Sequence, residues 1–192
     1  MTLFQQHCQR WANGCGSRIC KTATNIVFAR GSIPCDVLMT GEAPGESENV
    51  LGKPFCGPAG KLLDRIVESA IEMVGRLMDK SFTFGYCNLV CCIPREENGT
   101  NKATEPDDAD IISCAPRLIE FVKIANPKLI VCVGALAMDW LAPGYKNSIK
   151  FHRDIKRIDI VHPAAILRMN LSMRGLAIQR CVVTISNAIE EI

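Results

Sequence analysis

Between Lys61 and Met78 the apolar residues Leu62, Leu63, Ile66, Val67, Ala70, Ile71 and Val74 recur at the spacing of one helix face, which predicts an amphipathic helix. Short apolar runs flank it. Cys35 to Met39, Phe82 to Cys91 (ending as a strand at Asn88), Lys128 to Gly134 and Ile158 to Val161 read as strands. Ser113 to Ala125, Ala135 to Leu141 and Gly175 to Ile192 read as helices, the first stopped by Asn126-Pro127. Strands alternating with helices predict an α/β fold, a three-layer α/β/α sandwich around a mostly parallel sheet. Ligands of such sheets bind outside the carboxyl ends of the strands. Gly41, Asn88, Gly134 and His162 fall at those ends, which puts Glu42, Asn88 and His162 on one rim.

Two loops near that rim are unusual. Leu38-Met-Thr-Gly-Glu-Ala-Pro-Gly45 leaves a strand through a Gly/Pro turn carrying one carboxylate, and Pro54-Phe-Cys-Gly-Pro-Ala-Gly60 presents a single Phe before a helix. Glycines there let backbone N–H groups approach a planar or anionic ligand, and a following helix start favours negative charge. The Gly41 to Gly45 turn does not have the Gly-x-Gly-x-x-Gly spacing of a dinucleotide site, which disfavours a nucleotide-binding Rossmann-like protein. Ile93 to Ile112 forms a long polar loop that merges into a helix start near Pro106 to Asp110; loops of that length are usually functional or disordered.

Composition narrows the picture. A chain of 192 residues with 48% hydrophobic content suits one domain, residues 1 to 192. The net charge of +2 gives no global basic field, so nucleic-acid binding would need a local patch such as Lys146, Lys150, Arg153, Lys156 and Arg157. The start of the chain lacks a signal-peptide pattern and no apolar run approaches the length of a membrane span, so a cytoplasmic protein without a membrane partner is expected.

Eleven cysteines in a reducing compartment point to metal ligation or burial rather than disulfides. Cys15, Cys20, Cys92 and Cys114 are the candidates for a four-thiolate site, with Cys8, Cys87 and Cys91 as substitutes; iron–sulfur and zinc both suit such ligands. Cys35, Cys132 and Cys181, within apolar segments, read as small core residues.

Four motifs together carry a resemblance. Gly41-Glu-Ala-Pro-Gly45, Pro54-Phe55 with Gly57-x-Ala-Gly60, Asn88-Leu-Val-x-Cys92 and His162-Pro-Ala-Ala-Ile-Leu-Arg168 resemble, in order and spacing, the family 4 uracil-DNA glycosylases of bacteria, archaea and phages. The match runs from about Cys15 to Arg168. It implies a central four-stranded, mostly parallel sheet and a [4Fe–4S] cluster on Cys15, Cys20, Cys92 and Cys114, with zinc the alternative. Here the N-terminal pair is separated by four residues, where the family usually has two, which leaves Cys8 in contention. The loop between Cys92 and Cys114 is also longer than usual, although Asn101-Lys-Ala-Thr-Glu-Pro-Asp107 still resembles the family's Asn-Arg-x-Pro-x-Pro segment.

The resemblance implies removal of uracil from DNA, single- or double-stranded, by a monomer in the cytoplasm, or in a host's cytoplasm if phage-encoded. A glycosylase extrudes the base, holds it face-on and stabilises the leaving pyrimidine anion. Phe55 offers a stacking face or is a core residue; Asn88 suits uracil O4 and N3–H or caps a strand end. His162 would donate to uracil O2. Gly41, Ala43, Glu48 and Asn101 are expected to line the base, Glu42 to position water, and Glu48 to disfavour thymine's methyl. Ile166 and Leu167 are candidates to wedge into the base stack, with Arg168 and Arg174 on phosphates, or else are core residues beside solvated arginines. A covalent, suicide-type relative would need a histidine in the long loop, and Ile93 to Ser113 has none. The competing expectation is a non-catalytic DNA- or protein-binding module on the same fold.

Overall fold

The computed structural model describes residues 1–75, 81–96 and 102–192. Its centre is a sheet of five strands: β1 (Ala29–Gly31), β2 (Val37–Gly41), β3 (Phe84–Asn88), β4 (Leu129–Val133) and β5 (Lys156–Ile160), in the order β1-β3-β2-β4-β5. Strands β2 to β5 are mutually parallel, as expected. The fifth strand is β1, which pairs antiparallel with β3 through Ala29↔Cys87 and Gly31↔Gly85. The four-stranded expectation therefore omits this edge. The sequence from Asn25 to Met39 reads as β-rich and contains β1, but three residues are too few for an alternation pattern to separate it as a strand of its own.

Strands β2 and β4 are buried along their whole length because helices cover both faces. Alternate residues serve opposite cores: Leu38, Ile130 and Cys132 point to one side, Val37, Met39, Val131 and Val133 to the other. The first core is closed by α4 (Asp108–Ala125) and α5 (Ala135–Leu141), with α1 (Leu3–Arg10) against α4; the second by α3 (Pro58–Gly75), α6 (Pro163–Arg168) and α7 (Leu171–Glu190). A short helix α2 (Glu46–Leu51) lies between the two glycine-rich loops.

Helix α4 begins within the expected Pro106 to Asp110 start, where Asp107 caps it and accepts from the Asp110 N–H at 2.8 Å. That cap also anchors the N-terminal segment. Arg18 pairs with Asp107 at 2.9 Å and with buried Asp110 at 3.0 Å, and Ser17 donates to Asp110. Further along α4, Glu120 accepts from Arg10 at 2.7 Å and from the Trp11 indole at 3.0 Å. The segment before the sheet is thereby docked on one helix. No helix among the described residues is long and apolar enough to cross a membrane.

Candidate active site

The carboxyl ends of β2, β3 and β4, with the start of α6, open into a cleft of about 590 Å³. Glu42, Ala43, Glu48, Phe55, Asn88, His162 and Arg168 all line it. Parallel pairing of Gly41 with Asn88 brings the first two motifs side by side. A Cβ on Gly41 would stand 2.5 Å from Phe55 Cζ and 2.6 Å from Asn88 Oδ1, so only glycine lets ring and amide close on the strand end.

Phe55 is both wall and core. It is only 6% exposed, it packs 6.0 Å from the Tyr86 ring, and its backbone has φ of 53°, a left-handed conformation seldom adopted by a bulky residue. Arg30 clamps the turn by donating to the carbonyls of Pro54 at 2.8 Å and Phe55 at 3.3 Å. Asn88 is buried, yet among the described residues no protein hydrogen bond occupies its side-chain amide, which leaves the donor and the acceptor facing the cleft.

His162 caps α6: its Nδ1 accepts the Ala164 N–H at 3.1 Å. The proton of the neutral ring must then reside on Nε2, making that atom a donor. Burial lowers the ring's pKa, reinforced by Arg168 and opposed by Glu48, so the neutral form is favoured. Gly134 makes room behind the ring, since a Cβ there would lie 3.0 Å from His162 Cβ.

Burial raises the Glu42 pKa, and the Glu105 carboxylate adds to the effect. Glu48 has another task. Its two carboxylate oxygens accept the N–H groups of Gly45 and Gly57, each at 3.1 Å, and so tie the two glycine-rich loops together at the cleft wall. Arg95 holds Glu46 at 2.7 and 2.9 Å, linking α2 to the long loop.

Three expectations need correction. Ile166 is fully buried in the core shared by α3 and α7, so it cannot wedge into DNA; Leu167 is half-buried and Arg168 is exposed. Arg174 is spent on the α6–α7 turn, donating to the carbonyls of Leu167 at 2.5 Å and Met169 at 3.3 Å. The basic stretch is also engaged elsewhere: Arg153 binds Asn126 and Pro127, Lys156 binds Glu191, and Arg157 binds the Leu141 carbonyl. Lys156 begins β5, at the end of the sheet away from the cleft. Asn101 lies outside the described residues.

The cleft also holds residues the motifs do not single out. Ala103, Thr104 and Glu105 close it from the long loop, and Asp139 approaches from α5. Glu105 falls inside the Asn101 to Asp107 segment, which is the signal that could have found it. Asp139, on a short helix, has no comparable mark.

On the other side of the β3 exit, the proposed ligand thiols converge. Cys15 Sγ lies 3.2 Å from Cys114 Sγ and 3.6 Å from Cys20 Sγ, and Cys92 adjoins Cys20. Cys15, Cys92 and Cys114, with Cys91, border a small void next to Arg117. Among the described residues no group of three or more His, Cys, Asp or Glu side chains is already arranged around a point an ion could occupy. The donor set nevertheless fits a soft, thiolate-bound group, because Arg117 borders the same void and its buried guanidinium nitrogens Nε and Nη1 have no well-aligned hydrogen-bond partner, with the Cys114 thiol beside the guanidinium. A buried cation beside four thiols matches an anionic thiolate-held centre. Cys35, Cys132 and Cys181 are buried in the cores, as expected.

Comparison with known proteins places this architecture. Residues 28–184 match the family model of the uracil-DNA glycosylase superfamily, and the chain belongs to that superfamily. Within it, the similarity is to proteins named type-4 uracil-DNA glycosylase. One from Thermotoga maritima is 31% identical over 76% of this chain and 73% of its own length. One from Saccharolobus solfataricus is 31% identical over 71% of this chain, and one from Archaeoglobus fulgidus 29% identical over 77%. The chain spans about half the length of the Saccharolobus relative, 53%, and about three quarters of the Archaeoglobus one, 74%.

Proposed function

We propose that this protein is a monofunctional uracil-DNA glycosylase that hydrolyses the N-glycosidic bond of a flipped deoxyuridine and leaves an abasic site. The observation that carries this reading is the joint exposure to one cleft of a free Asn88 amide, the Phe55 ring and the Nε2–H of a neutral His162. Phe55 stacks on the base. Asn88 donates to uracil O4 and accepts from N3–H, a pairing that cytosine would mismatch. As the C1′–N1 bond breaks, its electron pair passes into the pyrimidine ring, and His162 Nε2–H donates to O2 where charge accumulates. Water oxygen bonds to C1′ and its proton passes to Glu42, a cleft-wall carboxylate whose burial, with Glu105 beside it, raises its proton affinity.

Gly41, Ala43 and Glu48 shape the wall. Leu167 and Arg168 meet the DNA, Arg168 on phosphate. The four thiols Cys15, Cys20, Cys92 and Cys114 would hold a [4Fe–4S] cluster, with zinc the alternative; such a group supplies a tie between the N-terminal segment, the β3 exit and α4. The working unit is a monomer, residues 1–192 acting as one domain on uracil-containing DNA in the cytoplasm, within base excision repair.

Incubation with a uracil-containing oligonucleotide followed by alkaline cleavage tests the reading. Abasic product is expected with uracil and not with thymine or cytosine; its absence from cluster-loaded, anaerobically purified protein would favour the binding-module alternative. Iron and sulfide analysis with the visible absorption spectrum separates the cluster from zinc.

A further inference from the structure

Arg117 sits on α4 three residues after Cys114, on the same face, and is 2% exposed. A guanidinium remains charged in a protein, so its burial requires compensation. One nitrogen is satisfied by the main chain: Nη2 donates to the carbonyls of Asn88 at 2.9 Å and Leu89 at 2.7 Å. The remaining two, Nε and Nη1, are buried without a well-aligned partner, and no carboxylate among the described residues pairs with Arg117. They lie beside the thiols instead. Cys91, Cys114 and Cys87 are the groups that interact with its charge, and all three are buried.

Leaving a buried cation unpaired is strongly destabilising. The arrangement becomes balanced when Cys114, the one of these three that belongs to the four-thiol site, is a thiolate holding a soft cofactor on the void that Arg117 borders. The same side chain then faces two ways, sulfur on one side and the Asn88–Leu89 main chain on the other. Asn88 is the residue whose amide reads the base in the function proposed above.

We propose that Arg117 is the buried counter-ion of the thiolate-held cofactor and the positioning residue for Asn88, so that occupancy of the cysteine site fixes the strand end that reads uracil. The inference rests on the glycosylase reading for its second half only. Loss of an outer-shell partner typically weakens a metal site by about 10–100-fold. Nη2 reaches both carbonyls from the end of a rigid, planar guanidinium, a geometry a lysine does not reproduce even though it keeps the charge.

The test uses the full-length, cofactor-loaded protein with Arg117→Met and Arg117→Lys. R117M is expected to lose its visible absorption to a chelator about tenfold faster than wild type. R117K is expected to keep the wild-type spectrum and bleaching rate while its kcat on uracil-DNA falls about tenfold, with KM changed less. Wild-type bleaching in R117M would overturn the counter-ion role, and wild-type kcat in R117K the positioning role. If R117M does not accumulate in folded form, Arg117→Gln supplies the uncharged variant for the same bleaching comparison. The bleaching arm needs no substrate, so failure of wild-type protein to excise uracil would count against the proposed function alone.

Discussion

The Ala164 N–H donates to Nδ1 of His162 at 3.1 Å, and that single contact determines which ring nitrogen is free to donate into the cleft. The nitrogen turned away from the helix must carry the proton. The imidazole therefore serves two ends at once, capping α6 and presenting a donor to the cleft.

These two duties separate by mutation. His162→Ala should lower kcat about 10²–10³-fold, the range for losing a donor to a developing anion. It should also reduce stability by about 1 kcal/mol through the lost cap. His162→Asn restores a capping side chain and should recover the urea midpoint while excision stays slow. Recovery of both in H162N would show that the cap, rather than the donor, limits the reaction.

The pH dependence follows from burial. The folded ring has a pKa below its ordinary 6.5, so the unfolded chain binds more protons as pH falls through that value. His162's contribution to stability is thus fully present above about pH 6.5 and declines as pH falls from there toward the folded pKa. The H162N variant should show a shallower loss of urea stability over that interval than wild type. Nitrogen NMR of the ring should report the Nε2–H tautomer at neutral pH.

Close packing at the β2 exit gives a third expectation. Gly41→Ala would push its Cβ into Phe55 and Asn88. The overpacking should reduce stability by about 1–3 kcal/mol and displace both ring and amide. Uracil excision by G41A should fall more steeply than its melting temperature alone explains, measured under conditions where the variant remains folded.

Glu48 makes a fourth. Removing its carboxylate leaves the Gly45 and Gly57 N–H groups without their acceptor. Glu48→Ala should lose about 1–3 kcal/mol in a urea titration. Glu48→Gln, which retains one acceptor oxygen, should fall between E48A and wild type. Equal stability of E48A and wild type would mean that the two loops hold together without this tie.

Much of this site was legible in the chain because parallel strands give a simple rule. Apolar runs ending in Gly41, Asn88, Gly134 and His162 align their exits on one rim, and the structure brings the residues beside them into one cleft. What escaped depended on tertiary facing. Ile166 lies in a helix of six residues, under two turns, whose buried face cannot be phased from so few positions. Arg117 looks like an ordinary surface arginine until α4 is docked; its three-residue offset from Cys114 was the available sign that it shares the buried face. Lys156 and Arg157 open β5, so a basic cluster in sequence became neighbours of the opposite sheet end.

The docking of the N-terminal segment on α4 also has a bearing on how the chain is made. Ser17, Arg18 and Cys15 leave the ribosome early, whereas Asp107 and Asp110 follow 89 to 93 positions behind their partners Ser17 and Arg18, and Cys114 follows 99 positions behind Cys15. At roughly 5–20 residues per second, those first residues wait about 5 to 20 seconds for their partners. During that interval their thiols have no native neighbour on α4, and a cell translating this message must keep them reduced and unclaimed until the helix arrives.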